Sequence, residues 1–326
     1  MCTCMTYENG EFYFGRNLDL EYSFGERVMM TPRNYELIWK KMGKQKQHYA
    51  MIGMAGALTS YPLYAEAVNE KGLCMAGLYF PGNAFYREAK EGMKNVSPFE
   101  LIPWVLASCA SVHEAREHLD GVNIVKIPYN DQLPLPDLHW MLADEKECVV
   151  LEPGLEGLEI YENPYGVLTN NPPFSYQEQN LTNYRNVTAQ YAESRFAKGL
   201  KLPSYGQGMG GLGLPGDASS VSRFVRAAFL KWNSVCEKEE QENVSQVFHI
   251  LDNVSVVRGA VLTPEGNCDL TRYSCCMNAK KGMYYFKTYG NSAIQMADLR
   301  RGDLEGEKLL YCDPASDMEI PERILQ

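Results

Sequence analysis

Apolar residues fall in short runs at 12–14, 28–31, 49–54 and 73–79, with Gly, Asn and Pro between them. Runs of that length and spacing predict strands of an antiparallel sheet. Residues 97–100 (Ser-Pro-Phe-Glu) then supply an N-cap, a proline at the first helical position and a capping-box glutamate. They predict a helix with Leu101, Val105 and Leu106 on its apolar stripe, ending before residues 118–121. Three prolines mark 127–138 as a loop, and strand signals return at 139–142, 148–151 and 167–169. Residues 170–216 show little regular pattern and end in a Gly-rich run; an irregular stretch of that length in a compact domain is usually functional. Helical periodicity resumes at 222–235 and 244–253, and strands are expected at 256–262, 283–289 and 309–312.

Strands at both ends, helices between them, and no linker or repeat predict one α+β domain over residues 1–326, with two sheets packed together and helices outside. A chain of 326 residues, 45% hydrophobic and 22% charged, buries a large core without a disulfide or metal staple. The net charge of −10 argues against a nucleic-acid partner, which needs a basic surface. The absence of a long apolar run argues against a membrane span. The N-terminus, Met-Cys-Thr-Cys-Met-Thr-Tyr, lacks the basic and apolar regions of a secretory signal. A cytoplasmic location follows as the expectation, and the ten cysteines are read as reduced thiols.

Metal and cofactor chemistry find no support. The five histidines (His48, His113, His118, His139, His249) form no His-Glu-x-x-His, and no paired Cys-x-x-Cys spacing occurs. Gly206, Gly208 and Gly211 match Gly-x-Gly-x-x-Gly formally, but neither the required strand nor the required helix flanks them. Glycine there is expected to let backbone pass close to a neighbour. His139, in a strand-like segment, leaves a Cys–His dyad open.

Cys2 is the candidate nucleophile. Removal of an initiator methionine before a small residue would leave Cys2 with a thiol and a free α-amine, and that amine can act as base for its own thiol. A cysteine at position 2 carries little weight alone. The segment Arg16-Asn17-Leu18-Asp19 adds to it. It continues the run 12–14, and a hairpin would return it beside residue 2. An arginine there would favour the thiolate, and an aspartate would hold and orient the ammonium.

Several segments resemble the choloylglycine hydrolase family: Cys2-Thr3, YFGRNLD at 13–19, EYSF at 21–24, NEKGLCMAGLYFPG at 69–82, GVLTNNP at 166–172 and GLPGDASSVSRFVRAAFL at 213–230. FHILDNVSVVRG and DLTRYSCCMNAKKGMYYFKTY agree as well, so the resemblance spans nearly the whole chain in order. It implies an N-terminal-nucleophile hydrolase with a four-layer αββα sandwich of two antiparallel sheets, a mature chain beginning at Cys2, no cofactor and a homotetramer. By resemblance, Cys2 is the nucleophile, Arg16 and Asp19 tune and hold it, Asn170 is an oxyanion-hole donor and Arg223 is the active-site arginine. Leu18, Tyr129, Leu133 and Leu138 match pocket-lining positions. The family holds bile salt hydrolases and penicillin V acylases. Where bile salt hydrolases carry Ala-Gly-Leu-Asn-Phe-Pro, this chain has Tyr79, which is similar to penicillin V acylases; its backbone N–H would still donate to an oxyanion. The flanking residues 80–84, the loop 180–213 and the tail are more similar to bile salt hydrolases, so the expected substrate is a bile salt conjugated to glycine or taurine. A non-catalytic bile-acid binder would be expected to have lost one of Cys2, Arg16, Asp19, Asn170 and Arg223, and all five are present.

Overall fold

The computed structural model describes residues 1–56 and 61–325. In chain order the elements are β1 (Cys2–Glu8), β2 (Phe12–Leu20), β3 (Glu26–Thr31), β4 (Leu37–Trp39), β5 (Gly43–Gln45), β6 (Met51–Gly56), β7 (Tyr64–Asn69), β8 (Cys74–Tyr79), β9 (Lys94–Val96), α1 (Leu101–Ser108), α2 (Val112–Leu119), β10 (Val122–Ile124), β11 (Leu138–Ala143), β12 (Cys148–Gly154), β13 (Gly157–Glu162), β14 (Val167–Leu168), α3 (Phe174–Leu181), α4 (Ser220–Asn233), α5 (Glu240–Asp252), β15 (Val261–Leu262), β16 (Cys268–Asn278), β17 (Met283–Thr288), β18 (Gln295–Asp298) and β19 (Leu310–Cys312).

Two antiparallel sheets carry the fold. One is 7-stranded, ordered β14-β1-β2-β16-β17-β18 with β15 beside β16. The other is 8-stranded, ordered β13-β12-β11-β8-β7-β6-β3-β19. Their inner faces meet in an apolar layer that includes Cys4, Phe14, Met54, Val68, Ala76, Met141 and Met277. α4 and α5 cover the outer face of the first sheet, with Phe224, Val247 and Leu251 in the same core. α1 covers the second sheet, where Trp104, Val105 and Leu106 pack with Met75, Trp140 and Leu142. The layers are therefore αββα. Covering both faces explains why β6 is buried at every position and reads as an unbroken apolar run.

The structure departs from the sequence reading in several places. The single helix expected after Ser97 is two: Cys109 is extended, which ends α1, and the Ser111 side chain caps a new helix by accepting the Glu114 N–H. β7, β13 and the 11-residue β16 were not expected. Charged and polar residues interrupt their apolar character; β7 and β16 are held by neighbours on both sides, and β13, at the edge of its sheet, by β12. The stretch 170–216 contains α3, and the expected strand at 256–262 is reduced to β15. Within the Gly-rich run, a Cβ on Gly210 would lie 2.4 Å from the Gln190 carbonyl and 2.5 Å from that of Thr188, so the expected close backbone approach occurs there. A second such approach joins β6 to β7: a Cβ on Gly53 would lie 1.9 Å from the Glu66 carbonyl oxygen.

Candidate active site

The hairpin β1–β2 brings the N-terminal residues together. Cys2 pairs with Leu18 and Cys4 with Arg16, and β14 flanks β1 on its other side. Cys2 is buried, with Arg16 Nη2 3.3 Å from its Sγ. Arg16 is itself buried. Its Nη2 also donates to the Gly77 carbonyl at 2.7 Å, and its Nη1 donates to the Ala65 carbonyl at 2.5 Å and to Glu66 Oε2 at 2.8 Å. Burial opposes the Arg16 charge, but Cys2, Tyr273 and Glu66 outweigh it and hold the guanidinium firmly cationic.

Glu66 was not found by sequence reasoning. It is fully buried and accepts the hydroxyls of Tyr273 at 2.7 Å and Tyr284 at 2.5 Å in addition to Arg16. The only signal in the sequence is a carboxylate among apolar neighbours in Tyr-Ala-Glu-Ala-Val.

Asp19 is buried, and its Oδ1 accepts the Thr271 hydroxyl at 2.6 Å. Oδ2 has no hydrogen-bond partner among the described residues, and Arg223 Nη1 is 4.0 Å away. Burial pushes the Asp19 carboxyl above its ordinary range, against the pull of Arg223, the terminal ammonium and Thr271. The Met1 ammonium donates to the Asp19 carbonyl at 2.8 Å and to Asp269 Oδ2 at 3.2 Å.

Asn170 follows β14. Its Oδ1 accepts the Cys2 N–H at 2.7 Å and Arg223 Nη2 at 2.8 Å, while its Nδ2 donates to the Tyr79 carbonyl at 2.7 Å. Ser220, at the start of α4, fixes the segment by accepting the Asn170 N–H at 2.8 Å. Arg223, one turn further along α4, donates through Nη1 to the Cys2 carbonyl and, at 2.6 Å, to Thr3 Oγ1. Desolvation lowers the Arg223 pKa, opposed by Asp19 and Cys2.

Tyr79 ends β8 with 47% of its surface exposed. Tyr22 is exposed too, and burial, then Glu21, push its phenol up. Leu18 is buried beside Cys2, and Leu138 pairs with Tyr79 across β8–β11. Tyr129 packs instead against Tyr61 and Phe99, with ring centroids at 5.9 and 5.4 Å. Leu133 lies in a turn, its amide on Asn130 Oδ1.

Both ring nitrogens of His139 are engaged. Nδ1 is 3.1 Å from Glu152 Oε1 and Nε2 is 3.0 Å from the Thr169 carbonyl, so the ring has no free nitrogen for the Cys2 thiol. Among the described residues no group of three or more His, Cys, Asp or Glu is placed to hold a metal ion, and no helix is long and apolar enough to cross a membrane.

A buried cysteine at the start of an inner strand, in a four-layer αββα sandwich, defines an N-terminal-nucleophile amide hydrolase. The comparisons narrow the class. Residues 2–312 match the model of the linear amide C–N hydrolases, choloylglycine hydrolase family, and the chain belongs to that family. It is 48% identical over 310 residues to a bile salt hydrolase/transferase of Lactiplantibacillus plantarum, covering 95% of this chain and 96% of that one. The structure of a conjugated bile acid hydrolase from Clostridium perfringens superposes with a TM-score of 0.92 at 36% identity, covering 99% of both chains. A penicillin V acylase from Agrobacterium tumefaciens shares the fold with a TM-score of 0.76 at 24% identity, covering 96% of this chain and 91% of that one.

Proposed function

We propose that this protein hydrolyses the amide bond between a steroid acyl group and glycine or taurine in conjugated bile salts, using Cys2 after loss of Met1. The observation that carries the reading is the convergence on Cys2: its sulfur on Arg16, its nitrogen on Asn170 and its carbonyl on Arg223.

Loss of Met1 turns the Cys2 nitrogen into the terminal amine. Two nearby guanidinium groups disfavour its protonated form, and the Asp19 carboxylate holds it in place. The amine takes the thiol proton, and the thiolate, steadied by Arg16, attacks the amide carbon. The carbonyl electrons move to oxygen, where Asn170 Nδ2 and the Tyr79 N–H serve as donors; loss of one such donor typically costs about 3–4 kcal/mol. The intermediate collapses to a thioester as the ammonium returns its proton to the departing glycine or taurine nitrogen. Water, deprotonated by the same amine, then releases the bile acid and restores the thiol. Arg223 orients Asn170 and the Cys2 backbone.

The steroid needs an apolar wall. Leu18 and Leu138 stand beside Cys2 and Tyr79 and serve that role; Tyr129 and Leu133 belong to the loop that borders it. The same reading includes a cytoplasmic homotetramer. In support, all ten cysteines are free, and the loop after α3 exposes Tyr191, Phe196, Tyr205 and Leu212, an apolar set suited to a second copy of the chain. Light scattering on the eluting protein should give the mass of four chains.

The test of the activity offers glycocholate, taurocholate and penicillin V side by side and measures the released amine or acid. Conjugated bile salts should turn over with the highest kcat/KM; a higher value for penicillin V would reject the assignment.

A further inference from the structure

We propose that His139 is a positioning residue for the oxyanion site, one imidazole holding the two backbone segments that carry its donors. The inference rests on the assignment of Asn170 and the Tyr79 N–H to that site. His139 is fully buried in β11, opposite Leu78 in the ladder. Its ring stacks on Phe80, the residue after Tyr79, with centroids 4.2 Å apart and planes 7° from parallel. Its Nε2 is 3.0 Å from the carbonyl oxygen of Thr169, the residue before Asn170. A carbonyl only accepts, so Nε2 carries a hydrogen. On the other side, Nδ1 faces Glu152 Oε1 at 3.1 Å, and one proton lies between them.

Glu152 extends the clamp. The same Oε1 accepts the N–H of Phe174, the first residue of α3, at 2.9 Å. The chain is therefore tied to one buried pair just before Asn170 and again four residues after it. The donors come from different sheets: Tyr79 ends a strand of the 8-stranded sheet, and Asn170 follows a strand of the 7-stranded one. The bonds that join these segments directly, Asn170 Nδ2 to the Tyr79 carbonyl at 2.7 Å and Asn171 Nδ2 to the Pro81 carbonyl at 2.6 Å, depend on the spacing the ring sets. Turning the ring would break the bond to Thr169 and the stack on Phe80 together. Misplacing a reacting group by 1 Å can cost about a hundredfold in rate, so a clamp of this kind acts on turnover with little effect on substrate binding.

The experiment measures His139→Gln, Asn170→Ala and the double variant with glycocholate, each rate normalised to the titratable Cys2 thiol. His139→Gln should lower kcat by about tenfold or more with KM within about twofold, and iodoacetamide should alkylate Cys2 at the parent rate. The double variant should fall below Asn170→Ala by clearly less than the His139→Gln loss measured alone, because both changes act on the same oxyanion site. Multiplicative losses, or a KM change equal to the kcat change, would overturn the role of His139. If Asn170→Ala loses kcat while His139→Gln keeps it, the clamp is refuted and the oxyanion assignment stands. If Asn170→Ala keeps kcat, the oxyanion assignment itself falls, and the clamp with it. Should His139→Gln fail to fold, Phe80→Leu decides: it removes the stack without stranding a polar group, and an unchanged kcat overturns the proposal.

Discussion

Replacing Glu66 with glutamine should unsettle both the stability of the sandwich and the reactivity of Cys2. The carboxylate has three donors, Arg16 at 2.8 Å, Tyr273 at 2.7 Å and Tyr284 at 2.5 Å, and the Arg16 and Glu66 side chains are 3% and 0% exposed. Glu66→Gln keeps the volume but removes the charge, and it turns one acceptor oxygen into an NH2 facing those donors. The Arg16 cation is left buried and uncompensated, a change that costs about 3–5 kcal/mol. At about 2 °C per kcal/mol for a chain of this size, Tm should fall by roughly 6–10 °C. Tyr284→Phe is the scale bar: it removes one hydrogen bond to a charged group, about 1.5–3 kcal/mol. Calorimetry at one scan rate, with urea titration to verify that m is unchanged, measures both. Iodoacetamide kinetics at pH 7 report the second effect, because an Arg16 released from Glu66 no longer stays fixed against the Cys2 sulfur. A Glu66→Gln protein that loses less than Tyr284→Phe, with unchanged alkylation, would refute the claim that this pair anchors Arg16.

Cys2→Ala should abolish amide hydrolysis while the far-ultraviolet dichroism and Tm stay near the parent values; residual turnover in that variant would remove the nucleophile from the mechanism. Mass spectrometry of active enzyme should show a chain that begins at Cys2, and full activity in protein that retains Met1 would require another base. Tyr79→Asn should lower penicillin V turnover, since a tyrosine ring stacks on a phenoxy group for about 0.5–1.5 kcal/mol beyond burial, and should leave bile salt turnover equal or better. A large loss on bile salts alone contradicts that. Asp217 accepts the Ser219 N–H at 2.9 Å and the Ser222 hydroxyl at 2.6 Å ahead of α4, and the Ser219 hydroxyl, then that of Ser222, then the Ser219 N–H hold its carboxyl well below the usual carboxylate range. A depressed folded value stabilises above the unfolded value of about 3.9 and is lost as pH falls through the folded one. Acid unfolding of Asp217→Asn should therefore lack part of the parent's pH dependence below about pH 4, and superimposable curves would contradict the assignment.

The parts of the site within a few residues of each other in the chain were legible in the sequence. Arg16 and Asp19 follow Cys2 by a single hairpin, and the hairpin forms with Cys2 opposite Leu18. Strands with both faces covered, such as β6, announce themselves as apolar runs. β7 and β16 do not, because Glu66 in one and Thr271, Arg272 and Ser274 in the other break the run. The capping pattern of Ser111 and Glu114 was available in the sequence, and reading it would have split the expected helix correctly. The carboxylate cluster was not available, since its members lie 50 and 207 residues apart and meet only when the sheets stack. The same holds for Thr169 and Phe80 around His139.

The ion pair of Arg16 and Glu66 bridges the two sheets, one residue on β2 and the other on β7. Buried pairs of this kind can often be exchanged for well-packed apolar residues with no loss, or even a gain, of stability. On the proposed mechanism that route is closed, because an apolar side chain at position 16 would take the cation away from the thiol. Drift toward a more stable, oilier interior is thus blocked where the nucleophile sits. Engineering for heat resistance should leave this rivet alone and look to helix caps away from Cys2, such as that of α2.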